Sequence, residues 1–326
     1  MVKQRKRYLK KGLPLIGIIL LLYLVSQLDI HRVINELTSI NLVILFFSVF
    51  LTIPLLCIRT SAWRLIQDAQ NIQLSFVSSM KILLIGFFYG IITPGYLGQV
   101  MRIPYMREQT QQPYGKLFVN VVLEVIVHNI SLYLMMIVGA LLVVSMLPNL
   151  LYITLLWLMI VSVSIVVFIR KERGDRFFSW LIHHSLPKKY QQKFVHFTQS
   201  FYLDFPNIRK LLLPGFLGVF TWIIVFTQEY LVAVAVGAEI PYLYFLLLYP
   251  IANTAGFIPI TFAGLGTREF TAVFLFSTLF TISAEKIFVF TILGFVITEI
   301  LLGFAGFLVS FMDPRITTHA SGSLKE

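Results

Sequence analysis

The sequence carries little charge for its length and almost no cysteine. Charged residues make up 13% of the 326 positions and hydrophobic residues 58%, against about 25% charged and roughly 45–50% apolar in soluble domains. A soluble protein cannot bury that much apolar surface, which excludes a soluble enzyme or binding domain. The one cysteine, Cys57, lies in an apolar run, so an intrachain disulfide and a cysteine metal site are excluded as well.

Motifs for nucleotide hydrolysis and common catalysis are also missing. The chain has no P-loop, so we do not expect it to hydrolyse ATP. It has no HExxH zinc motif, no GxSxG nucleophile elbow and no setting for a cysteine nucleophile. We therefore assign no catalytic residue and expect neither a metal nor a cofactor.

Acidic residues are scarce: there are 15, against 26 Lys and Arg, which gives a net charge of +11. In a soluble protein this excess would indicate nucleic-acid binding. Here the basic residues lie mainly at the ends of apolar runs and in one loop, which is typical of cytoplasmic topology signals. We therefore expect no nucleic-acid partner.

Long apolar runs are what the sequence does have. A transmembrane helix needs about 20 apolar residues, with a range of roughly 17–25. The candidate runs are residues 13–28, 41–58, 117–147, 150–169, 211–236, 242–260, 270–282 and 287–312. The pattern predicts an all-α, multi-pass membrane protein with about eight transmembrane helices.

The distribution of basic residues predicts the topology. With both termini in the cytoplasm, the outer loops contain Arg32 and Lys286, and the other 24 of the 26 basic residues fall inside. We interpret the chain as a plasma- or inner-membrane protein. Its predicted parts are a basic N-terminus (1–12), one membrane domain (13–312) with a cytoplasmic loop (170–210), and a disordered cytoplasmic tail (313–326).

One apolar stretch is too short to cross a membrane. Residues 82–93 would form about 18 Å of helix against a hydrocarbon core of about 30 Å, and the stretch ends at Pro94 and Gly95. A re-entrant hairpin that enters and leaves on the same side explains this pattern best. For residues 242–260, a full crossing and a second re-entrant hairpin both stay open.

Two segments combine proline, glycine and arginine in the same order. The first contains Pro94, Gly95, Gly98 and Arg102, and the second contains Pro259, Gly264, Gly266, Arg268 and Glu269. Paired breaks in the two halves of a transporter indicate a central site and an inverted repeat. Broken helices expose N–H groups to anions, and arginine suits phosphate. The alternative is a tight turn at the membrane surface, with arginine as a topology marker.

Several polar residues lie inside apolar runs: Asn120, Glu124, His128, Glu229 and Glu299. The first three follow a spacing of i, i+4 and i+8, which places them on one helical stripe. A charge at mid-helix costs about 2.5–3.5 kcal/mol, so these groups should face the bundle interior and pair. Arg102 and Arg268 are the natural partners for these groups; the alternative role is polar contact between helices alone.

On these residues the sequence resembles the lysylphosphatidylglycerol synthase transmembrane, or flippase-like, family. Pro259, Gly264, Gly266, Arg268 and Glu269 match a P-x(4)-G-x-G-x-R-E-like pattern of that family. Residues 59–64 and 94–102 support the likeness more weakly, and it covers roughly residues 10–312. One departure is Val125, where the family often has arginine, and His128 one turn on is the expected substitute.

The resemblance implies a broken-helix domain that binds and translocates lipids with modified or polyprenyl-linked head groups. It does not extend to the aminoacyltransferase half of the synthases, so we do not expect synthase activity. The predicted head-group site comprises Arg102, Arg268, Glu269, Glu124, His128, Gly98, Gly264, Gly266 and Arg64, with breaks at Pro94, Gly95 and Pro259.

Three functions stay open on the sequence. The first is a flippase for an anionic phospholipid or polyprenyl phosphate. The second is a membrane-embedded polyprenyl-linked glycosyltransferase, which would need outer acidic residues such as Asp29 and Glu36. The third is a non-transporting partner of a lipid-modifying enzyme. The sequence leaves the lipid, the transport direction, the coupling ion and a homo-oligomer undecided.

Overall fold

The computed structural model describes residues 15–169, 205–258 and 261–312. These residues are helical and contain no β-strand, which confirms the all-α class. The basic N-terminus (1–12), most of the loop 170–210, Pro259 and the tail (313–326) lie outside the described residues, so the predictions for them stay predictions.

The helices follow one another with short connections. Up to residue 169 they are α1 (Leu15–Gln27), α2 (Ile30–Thr38), α3 (Leu42–Phe50), α4 (Thr52–Ala69), α5 (Phe76–Ile91), α6 (Arg102–Thr110), α7 (Tyr114–Leu142) and α8 (Pro148–Ile169). From residue 205 they are α9 (Leu212–Ala235), α10 (Tyr242–Ala255), α11 (Thr267–Leu279), α12 (Ala284–Phe295) and α13 (Leu301–Met312). Short 3₁₀ turns at Leu97–Met101 and Ile208–Leu211 precede α6 and α9, and a π-helical turn at Val296–Ile300 joins α12 to α13.

Several helical stretches are long and apolar enough to cross a membrane. Among the described residues these are Leu42–Ala69, Tyr114–Leu142, Ile208–Ala235 and Ala284–Met312. A fifth is the pair Ile18–Gln27 and Ile30–Thr38, if these helices, bent by 92°, form one span. The count of eight crossings is therefore not confirmed, and the inverted repeat stays a prediction.

Large apolar side chains cover the outside of the bundle. Leu42 is 72% exposed, Phe46 66% and Tyr152 69%. An apolar surface of this extent is stable against hydrocarbon rather than water. The protein is an integral membrane protein whose outer surface contacts lipid.

Polar contacts mark one end of the bundle. The ammonium of Lys286 lies 3.6 Å from the Glu36 carboxylate and donates to the Gly237 carbonyl at 3.2 Å. The N–H of Asn41 donates to the Ala235 carbonyl at 2.9 Å. These contacts bring together α2, the start of α3, the end of α9 and the start of α12. We call this the Lys286 end and the opposite end the far end.

Helices α5 and α6 with their 3₁₀ turn form the first hairpin (residues 76–110). The helix begins after Ser75, whose hydroxyl accepts the N–H of Ser78, so it starts six residues before the predicted stretch 82–93. Its 16 residues span about 24 Å, still short of a core of about 30 Å. The expected break after this stretch is present, although the helical arm is longer than the apolar pattern indicates.

The first hairpin enters from the far end. Its second arm runs back along the first, because Gly86 on α5 leaves room for the side chain of Arg102 on α6. The hydroxyl of Ser79 donates to the Gln67 side chain at 2.9 Å, which ties the start of α5 to the end of α4. Both ends of this hairpin therefore lie at the far end.

Helices α10 and α11 form the second hairpin (residues 242–279). The ring of Tyr244, near the start of α10, packs 5.8 Å from the ring of Phe280, which follows α11. Phe245 and Phe276 stack with centroids 5.5 Å apart. The two arms are therefore antiparallel, and both ends lie at the Lys286 end.

The second hairpin changes the expected membrane path. Helix α10 has 14 residues and α11 has 13, which give about 21 and 20 Å of helix, too little for either to cross alone. The structure favours the re-entrant alternative for residues 242–260 and makes 270–282 its returning arm rather than a separate crossing. Hydropathy could not separate these paths, because the glycine-containing turn between the arms is itself mostly apolar.

Candidate functional site

The tips of the two hairpins meet inside the bundle. Pro94 and Phe262 form an isolated antiparallel β-bridge, and the N–H of Gly95 donates to the Thr261 carbonyl at 3.3 Å. The hairpins enter from opposite ends, so this contact lies between the two ends of the bundle. The two breaks that the sequence pairs are thus in direct contact, apart from Pro259, which lies outside the described residues.

The backbone at both tips adopts left-handed conformations. The φ angles are 59° at Gly95, 77° at Gly264 and 90° at Gly266. Tyr96 and Ala263 also have positive φ, at 57° and 48°, which is uncommon for residues other than glycine. The Tyr96 hydroxyl donates to the Ala263 carbonyl at 3.0 Å, so the two strained residues are bonded to each other. Such strain, about 1–3 kcal/mol per residue, clusters at ligand sites and switches.

Two of the glycines predicted for the site are needed for close packing of the backbone. A Cβ on Gly98 would collide with the carbonyl oxygen of Tyr89. A Cβ on Gly264 would lie 2.7 Å from the Cα of Gly256. These contacts explain why both positions need glycine, and a head-group contact at either one stays a prediction.

Glu124 on α7 lies between two arginines, and we call these three residues the Glu124 cluster. The Nη1 of Arg102 donates to Glu124 Oε2 at 2.9 Å. Arg59 on α4 donates through Nε and Nη2 to Glu124 Oε1, both at 3.3 Å. Arg102, one of the two partners expected for the buried polar groups, thus pairs with Glu124. With two guanidinium groups and one carboxylate, the cluster carries a net positive charge.

The two arginines of the cluster are held to different degrees. Arg102 is fully buried, lies over the Trp63 ring at 5.0 Å, and donates to the Gln99 carbonyl and side-chain oxygens at 3.1 and 2.9 Å. The Arg59 side chain is 14% exposed and has longer bonds to Glu124, with the Phe87 ring 4.7 Å away. Arg59 is therefore the guanidinium that an incoming anion reaches more easily.

The residues of the polar stripe on α7 contact different neighbours. Asn120 accepts from the Trp63 indole at 2.8 Å and donates to Gln70 at 2.8 Å. His128 stacks on Trp222 with centroids 4.7 Å apart, and its buried Nε2 has no hydrogen-bond partner within the part of the chain that the structure describes. Asn120 thus contributes polar contact between helices, while His128 places a ring nitrogen one turn from Glu124.

Arg64 is not part of the Glu124 cluster. It follows Arg59 by five residues on α4, a rotation of about 140° from it around the helix axis. The predicted site includes Arg64 and leaves out Arg59, whose bonds to Glu124 depend on how α4 packs against α7. Tyr96 and Gly86 were also missed, since neither residue type signals an ion site by itself.

The second hairpin contains its own ion pair. Arg268 donates to Glu269 Oε1 through Nη2 at 2.7 Å and Nε at 3.1 Å, and both side chains are buried. The other oxygen of Glu269 accepts the N–H of Gly266 at 2.6 Å, which caps the start of α11. The guanidinium lies 4.7 Å from the Phe295 ring. All the polar partners described here belong to the same hairpin.

Two further carboxyl groups lie beside this pair. Glu229 on α9 is buried and touches the hydroxyls of Thr298 at 3.1 Å and Tyr249 at 3.4 Å. Glu299, in the π-helical turn, is half-buried and interacts electrostatically with both Arg268 and Arg59. Glu299 is therefore within electrostatic range of both charged groups, which the sequence analysis describes as separate features.

An apolar groove runs between α7 and the start of α9. Its volume is about 410 Å³. The lining residues are Val119, Val122, Leu123, Ile126, Val127, Ile130, Ser131, Leu134, Phe205, Ile208, Leu211, Leu212, Gly215, Phe216 and Val219. Leu123 and Val127 immediately precede Glu124 and His128 in sequence, so one helix carries both the groove wall and the polar stripe.

Comparison with known proteins decides the family. The lysylphosphatidylglycerol synthase TM region matches the chain over residues 13–306. The chain belongs to this family. The resemblance read from the glycine, arginine and glutamate pattern is confirmed, and it extends over nearly the whole membrane domain.

One relative shows how far sequences of this kind diverge. UPF0104 membrane protein MJ1595 of Methanocaldococcus jannaschii is 21% identical over 318 residues, covering 93% of this chain and 94% of that protein. No solved structure matches the chain significantly. Within residues 15–169, 205–258 and 261–312, no group of three or more His, Cys, Asp or Glu side chains could hold a metal ion.

Proposed function

We propose that this protein binds the anionic head group of a membrane lipid at the hairpin tips and moves the lipid between leaflets. The observation that carries the proposal is the contact between two re-entrant tips, with a buried arginine beside each. Broken helices that meet between the membrane faces are typical of transporter substrate sites. Membership of the family supports a lipid as the substrate.

The Glu124 cluster supplies the head-group chemistry. A phosphate can replace one carboxylate oxygen at Arg59, whose bonds to Glu124 are both 3.3 Å long. Arg102 would stay paired with Glu124 at 2.9 Å, so no buried charge is left without a partner. Arginine is suited to this exchange because its planar fork binds carboxylate and phosphate in the same geometry.

The apolar groove supplies a place for a hydrocarbon chain. It is walled by α7 and α9, and Ser131 is the one hydroxyl-bearing residue among the described residues that line it. A lipid with its chain in this groove would have its head group near Glu124 and His128, which lie on the same helix. The arrangement suits either an acyl or a polyprenyl chain.

We also propose that the chain acts by translocation and not by catalysis. Asp29 and Glu36, the outer acidic groups considered for a glycosyltransferase, already have polar partners in the structure. Asp29 caps α2 and its N–H donates to Glu285 at 3.3 Å, while Glu36 pairs with Lys286 at 3.6 Å. A scaffold role for a lipid-modifying enzyme stays the alternative if no lipid is exchanged.

Reconstitution tests the proposal. The purified chain is placed in liposomes with fluorescent anionic, aminoacylated or polyprenyl-phosphate lipids, and exchange between leaflets is followed by quenching from outside. We expect Arg59→Ala to slow exchange about tenfold, the effect of losing one charge-assisted hydrogen bond of about 1.5 kcal/mol.

Arg107→Ala is the matched control. Arg107 also lies over an aromatic ring, that of Tyr114 at 4.5 Å, and donates to a backbone carbonyl, but it lies outside the Glu124 cluster. We expect its exchange rate to match the wild type within about twofold, about 0.4 kcal/mol. Folded wild-type protein that exchanges none of the lipids, or equal losses in the two variants, would refute the proposal.

A further inference from the structure

The carboxyl group of Glu229 is buried in the bundle, and it pairs with no cation among residues 15–169, 205–258 and 261–312. Its residue exposure is 3%, and no Lys, Arg or His nitrogen of the described residues forms an ion pair with it. The nearest guanidinium, that of Arg268, gives two hydrogen bonds to Glu269. An ionised carboxylate in this position would be costly, since buried charges in membranes are normally paired.

The hydrogen-bond count around Glu229 favours a neutral carboxyl. The Thr298 hydroxyl has one hydrogen but two acceptor neighbours, the Gly294 carbonyl at 2.9 Å and Glu229 Oε1 at 3.1 Å. If that hydrogen goes to the shorter contact, the bond to Glu229 forms only when the carboxyl itself donates. The Tyr249 hydroxyl, at 3.4 Å from Oε2, is too distant to balance a full charge.

The backbone around Glu229 is shaped to hold this carboxyl. A side chain on Gly294 would collide with the carboxyl oxygens, so the glycine leaves the space that they fill. Thr298 lies in the π-helical turn between α12 and α13, a feature that often marks functional positions in helices. The carboxyl therefore joins three elements: α9, the π-helical turn, and α10 of the second hairpin.

We propose that Glu229 is a proton-binding site that couples proton exchange to movement of the second hairpin. The inference rests on the proposed translocation but concerns a residue outside the head-group site. With the proton bound, Glu229 links α10 to the π-helical turn through Tyr249 and Thr298. Once the proton leaves, the carboxylate attracts Arg268, which can reach it only by loosening its bonds to Glu269.

Other titratable groups surround this position. Tyr249 contacts it from α10, and Glu299 in the π-helical turn and Arg268 on α11 interact with it electrostatically. Tyr96, at the tip of the first hairpin, also interacts with it electrostatically, and Glu269 pairs with Arg268. Glu299 adds negative charge, which also favours a proton on Glu229. The tip residue Tyr96 would feel a change in the charge of Glu229, which connects the proton to the contact between the tips.

Infrared spectroscopy of the full chain in lipid tests the proton site without measuring transport. A protonated carboxyl gives a C=O stretching band that is separate from the carboxylate bands, and exchange with D₂O shifts it. We expect this band in the wild type at neutral pH, its shift in D₂O, its decrease as the pH rises, and its loss in Glu229→Gln. In Glu36→Gln, which changes a partly exposed glutamate at the Lys286 end, the band should persist. A wild type without the band, or an unchanged band in Glu229→Gln, would overturn the proton site.

The coupling is tested separately in liposomes. Lipid exchange by the wild type should change with pH, and exchange by Glu229→Gln should not, because the amide cannot release a proton. If Glu229→Gln keeps the wild-type pH dependence, the coupling is wrong. If the wild type exchanges no lipid, the proposed translocation and its coupling fail, while the infrared result still decides the proton site.

Discussion

The two hairpins have similar tips but hold their arginines in different ways. In the first hairpin, Arg102 bonds to Glu124 on α7 and packs on Trp63 of α4. In the second, Arg268 bonds to Glu269, the next residue of the same helix. One charge is anchored to the surrounding helices, whereas the other is satisfied within the hairpin.

This difference indicates which hairpin can move. Displacing the first hairpin would break a buried ion pair and leave charges without partners, which costs about 3–5 kcal/mol. The second hairpin takes its ion pair with it. Among the described residues, the hydrogen bonds between its tip and the first are those of Gly95 to Thr261 and Tyr96 to Ala263. We therefore expect the second hairpin to be the moving gate and the first to be part of the frame.

The largest loss in the free energy of unfolding is expected on removal of Glu124, which anchors the first hairpin. Glu124→Ala leaves Arg102 buried without its carboxylate and removes the partner of the partly exposed Arg59, so we expect a loss of about 3–5 kcal/mol in the free energy of unfolding. Reversible unfolding in mixed micelles measures it. Glu36→Ala, which removes a partly exposed salt bridge to Lys286, is the control and should cost about 1 kcal/mol or less. A similar loss in both variants would mean that the first hairpin is not anchored by charge.

An intermediate loss in the free energy of unfolding is expected for a substitution at the tip of the second hairpin. Gly264→Ala places a side chain on a residue with a φ of 77°, and its Cβ would lie 2.7 Å from the Cα of Gly256. We expect a loss of about 1–3 kcal/mol in unfolding free energy. Gly215→Ala is the control, because its Cβ meets only a side-chain atom at an ordinary 3.7 Å within a helix. An equal or smaller loss at Gly264 would show that its tip is not tightly constrained.

The smallest effect is expected where the tips are bonded to each other. Tyr96→Phe removes the hydrogen bond to the Ala263 carbonyl and keeps the ring contact with Phe257, so we expect a loss of about 0.5–1.5 kcal/mol. Tyr152→Phe, at a residue that is 69% exposed, should change the stability little. If Tyr96→Phe unfolds like the wild type, the hydrogen bond between the tips contributes nothing to stability. Other contacts would then hold the second hairpin in place.

The sequence revealed more about the kind of site than about its assembly. Periodicity and hydropathy predicted an all-α membrane domain, and the spacing of Asn120, Glu124 and His128 predicted a polar stripe, because both depend on local pattern alone. The pairing of Arg59 with Glu124 could not be predicted, since it depends on the rotation of α4 against α7. The return of residues 270–282 as a hairpin arm was missed because an apolar turn and an apolar crossing look alike in composition.

The most direct test of the account is a reversible cross-link between the tips. Pro94→Cys and Phe262→Cys, in a Cys57→Ser background, replace two residues that face each other in an antiparallel bridge. The Cα atoms of such pairs are about 4.5–5.5 Å apart, within the range of a disulfide. We expect oxidation to join the cysteines, to stop lipid exchange, and to be reversed by a reducing agent. Folded protein that does not cross-link, or cross-linked protein that exchanges lipid at the uncross-linked rate, would contradict the account.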